Sequence, residues 1–285
     1  MHTQPEIIHE QVRFYEALFS TRPVDRRIQD RLLQTLDRKL SHLQREMCEG
    51  PLTEAECLAA LRSSANNKSP DLDGFPKEIY LAYWEIVGAD FLEMANCCLE
   101  AGKLPQSLRR AIITMIFKKE DPEELKNWRP ILLLTADYKI IAKALANRLK
   151  NVMKSLIHPD QACSVPGRSS EDNATLLRDI SDYVASKNMR CAFLAIDQEK
   201  AFDLVDWGVM HRVFDAMNFG PCLRGMVECL YTDIQSAILS NGHLTNFFDV
   251  HRGVRQGLPP VPDIIRSAIR SIRPSRPNIS SHRRD

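Results

Sequence analysis

The sequence predicts an α+β protein, helical at its start and mixed beyond it. Three observations lead there. Apolar residues recur every three or four positions through the first hundred residues. Short apolar or β-branched runs bounded by turn residues appear only later, at 111–117, 191–197 and 235–240. Helices come first and strands mixed with helices follow, which suits strands and helices packed together behind a helical extension. A chain of 285 residues is long enough for one large or two ordinary cores.

Ile8, Val12, Tyr15 and Phe19 form the first helical stripe, and Ile28, Leu32, Leu36, Leu40 and Leu43 the second. Pro23 separates them and Asp25 can cap the second. Gly50-Pro51 breaks the pattern, and Thr53-Glu54-Ala55-Glu56 reads as a capping box opening a helix that ends near Ala65. After the turn-rich stretch 66–74, helices are expected at about 77–86 and 90–101. Residues 111–117 read as a strand running into the charged turn 118–122, and 131–134 as another strand.

Residues 136–157 read as a long helix. Lys139, Lys143, Lys150 and Lys154 fall within about 60° of one another on it, opposite Ile141, Leu145, Leu149, Val152 and Leu156. Such a stripe is either a surface for an anionic partner or an ordinary solvated face. A further helix is expected over 171–185. Cys191-Ala192-Phe193-Leu194-Ala195-Ile196 has no alternation, the pattern of a strand buried on both faces, and it ends at Asp197. Val205, Val209, Val213, Phe214 and Met217 then mark a helix that Asp206 can cap. Residues 221–231 read as helix, and 235–240 and 245–250 as strands around the hairpin signal Asn241-Gly242.

The 38 basic and 37 acidic residues leave a net charge of +1. That total is unevenly spread. The 25 residues from Val261 hold six arginines against two aspartates, a local +4 that leaves −3 for the rest. This tail reads as a poorly ordered end with a short helix around 264–272, and its arginines are either solvated or in contact with nucleic acid. A composition of 44% hydrophobic and 26% charged residues excludes a wholly disordered chain. No uncharged apolar run approaches the ~18 residues of a membrane span. Without a signal-peptide pattern at the N-terminus, an intracellular protein, cytoplasmic or nuclear and not secreted, is expected. Eight cysteines without a Cys-x-x-Cys fit reduced thiols.

No P-loop, dinucleotide fingerprint, H-E-x-x-H or G-x-S-x-G occurs. A carboxylate ending a buried strand must be capped, paired or bound to metal, and Asp197 alone does not say which. The segments read together say more. Lys118 ends a strand and Asn127-Trp128-Arg129-Pro130-Ile131 follows. Asp137 to Leu149, then Ile157-His158-Pro159-Asp160-Gln161 and Val165-Pro166-Gly167-Arg168-Ser169 come next, with Asp172-Asn173 after them. Asp197-Gln198-Glu199-Lys200-Ala201-Phe202-Asp203 and Arg252-Gly253-Val254-Arg255-Gln256-Gly257 complete the series. In this order and spacing the chain resembles the reverse transcriptase of non-LTR retrotransposons, the long-interspersed-element type. The resemblance runs from about Phe14 to Pro262 and is strongest over 66–258.

The resemblance implies a partial right-hand polymerase: a helical extension over 1–50, fingers and incomplete palm over 51–260, and a divergent tail over 261–285. It makes Asp197 the first catalytic aspartate, binding Mg²⁺ in the two-metal scheme, with the Gln198 carbonyl as a further oxygen ligand. Lys118 and Arg129 would grip the incoming triphosphate. Phe202 would block a ribose 2′-hydroxyl, a role compatible with a place in the core. Gln256 and Gly257 would support the nucleotide, the glycine permitting close backbone approach. Asp203 and Asp206 remain turn and cap residues. The lysines of 136–157 would lie near an RNA template or DNA primer, and deoxynucleoside triphosphates would be the substrates.

The chain departs from that pattern at Asp71, Leu132, Leu258 and Pro260. The family's aromatic-x-Asp-Asp turn is also missing, because the sequence contains no Asp-Asp pair. One carboxylate and one carbonyl are a thin cradle for two divalent ions. The expectation is a truncated reverse transcriptase domain that does not polymerise as given. The alternatives are a non-catalytic RNA- or DNA-binding remnant and an unselected gene fragment.

Overall fold

The computed structural model describes residues 3–67, 73–157, 167–195 and 200–255. Helix α1 (Gln4–Phe19) opens with a capping box in which the Thr3 amide donates to the Glu6 carboxylate at 2.7 Å. It turns Tyr15, Leu18 and Phe19 into the core. The second apolar run does not form one helix. Helix α2 (Arg26–Gln34) stops early, and α3 (His42–Glu46) restarts behind a Ser41–Gln44 capping box. Leu36 and Leu40 are buried between them, while Ile28 and Leu43 stay exposed. The cause is distant in sequence. The Leu40 amide donates to the Met217 carbonyl at 3.0 Å, and its own carbonyl accepts from the Asn218 side chain at 2.9 Å. These bonds take the backbone groups that a continuous helix would use.

Helix α4 (Glu54–Ser63) has the expected capping box, with the Thr53 amide donating to Glu56 at 2.9 Å and the Glu56 amide to the Thr53 hydroxyl at 3.3 Å. The two helices expected after it divide elsewhere, as a short α5 (Lys77–Ala82) and a long α6 (Trp84–Glu100) that meet at Tyr83. The one-turn α7 (Gln106–Arg109) leads into strand β1 (Arg110–Phe117). Strand β2 (Trp128–Leu133) returns antiparallel to it, with Phe117 opposite Trp128 and Ile112 opposite Leu133.

Helix α8 (Ala136–Leu156) is the axis of the fold, with 13 of its 21 residues buried. It packs on α4. Arg148 of α8 is buried and ties the helix to the preceding loop. It forms an ion pair with Glu56, and its guanidinium donates to the carbonyls of Gly50 and Pro51. Helix α9 (Ser170–Ser186) agrees with the expected range but buries none of its residues.

The segment expected as a doubly buried strand is a correction. Residues 191–195 belong to no strand and are exposed, Leu194 at 84%. A fully apolar run is covered only when strands flank both its edges, and no described strand pairs with 191–195.

Asp206 caps α10 (Trp207–Ala216), its carboxylate accepting from the Val209 amide at 2.9 Å. The Glu49 carboxylate accepts from the Cys222 and Leu223 amides, each at 3.0 Å, at the start of α11 (Pro221–Cys229). Strand β3 (Gln235–Ser240) pairs parallel with β1. Asn241 and Gly242, both at positive φ, turn it into β4 (His243–Leu244). The strand expected over 245–250 is shorter, β5 (Phe248–Asp249), which also pairs with β3. The sheet order is β2-β1-β3-β4, with β5 beside β3. One core cluster runs from Tyr15 to Val254. Among the described residues no helix is long and apolar enough to cross a membrane. The seven described cysteines are all free thiols.

Candidate nucleotide and nucleic-acid site

The turn after residue 199 and the segment before residue 256 meet through their backbones. The Val254 amide donates to the Phe202 carbonyl at 2.8 Å, and the Gly253 amide to the Val205 carbonyl at 2.8 Å. The Trp207 indole donates to the Gly253 carbonyl at 2.8 Å, and Asp206 bridges to Arg252. Gly253 is needed for this approach. Its φ is +91°, and a Cβ there would lie 3.0 Å from the Asp203 carbonyl oxygen. Phe202 is thereby held beside the chain that enters Gln256-Gly257. Asp197, Gln198, Gln256 and Gly257 themselves lie outside the described residues.

Two buried arginines fix this segment from below. Arg255 donates to the Leu108 carbonyl at 3.3 Å and also to that of Arg109, and lies 4.8 Å from the Tyr138 ring centre. Arg252 donates to the Leu18 carbonyl at 2.6 Å, and the His251 amide to Phe19 at 3.0 Å, so the end of α1 braces the same segment. The Lys200 ammonium sits 4.3 Å from the Phe14 ring. Sequence reading assigned nothing to these bracing residues. Arg252, Gly253 and Arg255 belong to the Arg252-to-Gly257 motif, but the Leu18 and Leu108 carbonyls carry no sequence signal, because backbone acceptors have none.

Electrostatics follow burial. Asp203 is buried, which pushes its carboxyl above the ordinary value against the opposing pull of Lys200. Burial also pushes the Tyr15 phenol up, and the nearby Asp203 charge adds to it. The Tyr15 hydroxyl has no hydrogen-bond partner among the described residues. Asp206 is committed to its helix cap. Among the described residues no three His, Cys, Asp or Glu side chains converge on a possible metal position, so the described residues do not make a two-ion site.

Lys118 and Arg129 come together at the loop end of the β1–β2 hairpin. The Lys118 amide donates to the Asn127 carbonyl at 3.1 Å, Arg129 stands opposite Ile116, and both residues are exposed. They are not beside Phe202. Arg255 holds the opposite end of β1, and eight residues, roughly 26 Å of strand, separate Arg109 from Phe117. Of the helix lysines, Lys139 and Lys154 are exposed and Lys143 and Lys150 half-buried. Burial, and then the charge of Lys150, lower the Lys143 ammonium from its usual value. The opposite face, Ile141, Leu145, Leu149, Val152 and Leu156, is buried.

The family model described as reverse transcriptase (RNA-dependent DNA polymerase) matches residues 116–275, more than half of the chain. The chain belongs to this family. The matched reverse transcriptase region runs past Pro262, into the segment read from sequence as divergent. The transposon TX1 uncharacterized 149 kDa protein of Xenopus laevis is 40% identical over 256 residues, covering 90% of this chain and 20% of that protein. The probable RNA-directed DNA polymerase from transposon BS of Drosophila melanogaster is 25% identical, covering 88% of this chain and 27% of its own length. The retrovirus-related Pol polyprotein from type-1 retrotransposable element R2 of Popillia japonica is 26% identical over 172 residues, 59% of this chain and 24% of its own. This is a non-LTR reverse transcriptase domain of transposon origin, and it spans between a fifth and about a quarter of the length of these relatives.

Proposed function

We propose that residues 51–260 carry the fingers and part of the palm of this polymerase, with 1–50 as a helical extension and 261–285 as a divergent tail. In this reading the chain binds nucleotide and template inside the cell, in cytoplasm or nucleus, without completing DNA synthesis. The bond from the Val254 amide to the Phe202 carbonyl is the observation that supports it most, because it holds the backbone five residues after Asp197 against the chain that leads to Gln256-Gly257.

Each residue then has a physical task. Lys118 and Arg129 hold the triphosphate of a deoxynucleotide through charge-assisted hydrogen bonds. Phe202 excludes a ribose 2′-hydroxyl by bulk, and Gln256-Gly257 supports the base and sugar from behind. Asp197 and the Gln198 carbonyl are hard oxygen donors of the kind Mg²⁺ takes. No Asp-Asp pair exists in the sequence to complete a two-ion site. What remains to the chain's own residues is binding and positioning.

Primer extension on an RNA template with Mg²⁺ or Mn²⁺ tests this. The expected result is no incorporation above that of an Asp197→Ala variant. Robust extension that Asp197→Ala abolishes would overturn the inactivity. A second reading, a non-catalytic binder of RNA or primed template, is favoured by the lysine row on α8, where Lys139 and Lys154 are exposed opposite a buried apolar face.

A further inference from the structure

Residues 78–102, which include α6 and nearly all of α5, hold Glu78, Glu85, Asp90, Glu93 and Glu100 and no Lys, Arg or His. Helix α6 buries Trp84, Gly88, Phe91, Ala95 and Leu99 on one side. On the other side Ile86, Ala89, Asp90 and Glu93 are exposed and share an arc of about 100°. The Tyr83 amide donates to the Ile79 carbonyl at 3.0 Å, so these two residues extend the face backward by a turn each. Ile79 is 38%, Tyr83 56% and Ile86 72% exposed. The outer face is therefore apolar over its first turns and acidic beyond them. Phosphate is repelled by such a surface, whereas exposed apolar residues rimmed by charge mark a protein contact.

Helix α2 carries the complementary pattern. Arg212 of α10 holds its inner side, donating to Gln29 at 2.6 Å and pairing with Asp30. On the outer side Ile28, Arg27 and Arg31 are exposed within an arc of about 100°, and Val24 precedes them, also exposed. Helices α6, α11, α10 and α2 pack in that order, each on the next, so the two faces stand at the ends of one row. Laid parallel with Ile28 against Ile86, their spacings agree. Arg31 lies three residues on, about 4.5 Å, and Asp90 four residues on, about 6 Å, both turned to the same side of the contact. Arg27 falls on the side of Tyr83, whose ring face can take a guanidinium. We propose that the α5–α6 face of one copy docks α2 of a second copy, so that copies add head to tail. Two α5–α6 faces would instead set acid against acid. Heterologous contacts of this kind do not close on themselves, and two short helix faces make a weak, concentration-dependent interface.

Sedimentation equilibrium of the full chain, treated with nuclease, from about 10 to about 300 µM tests the docking. The mean mass should rise past that of a dimer. Reversing one face, Arg27→Glu with Arg31→Glu or Asp90→Arg with Glu93→Arg, should lower the association constant about tenfold or more. All four changes in one chain should restore it, with melting midpoints unchanged throughout as the control for folding. Mixing the Arg27→Glu, Arg31→Glu chain with an Ile86→Glu chain should give a one-to-one dimer and nothing larger, because each keeps one working face. A chain that stays monomeric over this range would overturn the proposal, and so would a mass that stops at the dimer. Association that ignores both reversals would overturn it too, since the contact would lie elsewhere. So would association seen only before nuclease treatment, because the bridging occupant would then be nucleic acid.

Discussion

Phe202 and Val254, fifty-two positions apart, are joined by a 2.8 Å backbone hydrogen bond, and Gly253 lies against the Asp203 carbonyl beside it. The described stretches 200–207 and 251–255 therefore form one structural unit, closed from behind by the Trp207 indole.

Gly253→Ala should cost about 1–3 kcal/mol, because positive φ and backbone crowding act together. Gly242→Ala is the comparison, with φ +82° and open space around its Cβ. It should cost less, about 1 kcal/mol. Urea midpoints of the two variants check the order, and equal losses would show that crowding at Asp203 does not matter.

Arg148→Ala should destabilise by about 3–5 kcal/mol, since it strands a half-buried carboxylate and the Gly50 and Pro51 carbonyls together. The pH dependence follows from Glu56. Burial raises its pKa, but hydrogen bonds from Arg148 and Thr53 and the Arg148 charge outweigh that and hold it below 4.5. A folded-state pKa below the unfolded one gives stability that is present above pH 4.5 and lost as pH falls through the folded value. Denaturant midpoints from pH 7 to pH 3 should fall for the unaltered chain and stay flatter for Glu56→Gln.

Asp203 has the opposite sign. Its folded-state pKa lies above 3.8, so its contribution is greatest below that pH and is lost as pH rises through the folded value. Asp203→Asn should therefore be tolerated or stabilising at pH 7, with the advantage shrinking toward pH 3. Thermal melts at both pH values check this, and a large loss at pH 7 would mean that the carboxylate has a partner it needs.

RNA binding, if carried by the α8 lysines, should weaken with salt and with Lys139→Glu plus Lys154→Glu. Neutralising two phosphate contacts fewer should lower the slope of log K against log salt by about 1.4. Filter binding or anisotropy across a salt series measures it.

Local signals were legible and distant ones were not. Thr53 and Glu56, Asn241-Gly242 and the buried face of α8 could be read because each pattern closes within a few residues. The run from Ile28 to Leu43 has helical spacing throughout, yet the Met217–Asn218 turn captures Leu40 and splits it. Residues 191–195 show the same limit from the other side. Composition reports what a segment would prefer to be surrounded by, and in this structure no described strand surrounds it. At the candidate site the motif residues were visible by type, whereas the Leu18, Leu108 and Arg109 carbonyls that position Arg252 and Arg255 were not.

Strand β1 has one neighbour a few residues downstream and another more than a hundred residues away, paired in parallel. The β1–β2 hairpin can close as soon as it is synthesised, whereas the β1–β3 ladder must wait for residue 235 and the ordering of the intervening chain. During that interval β1 offers a bare row of amides and carbonyls to any other strand. Folding of this domain should be slow, and its yield should depend on how quickly translation delivers β3.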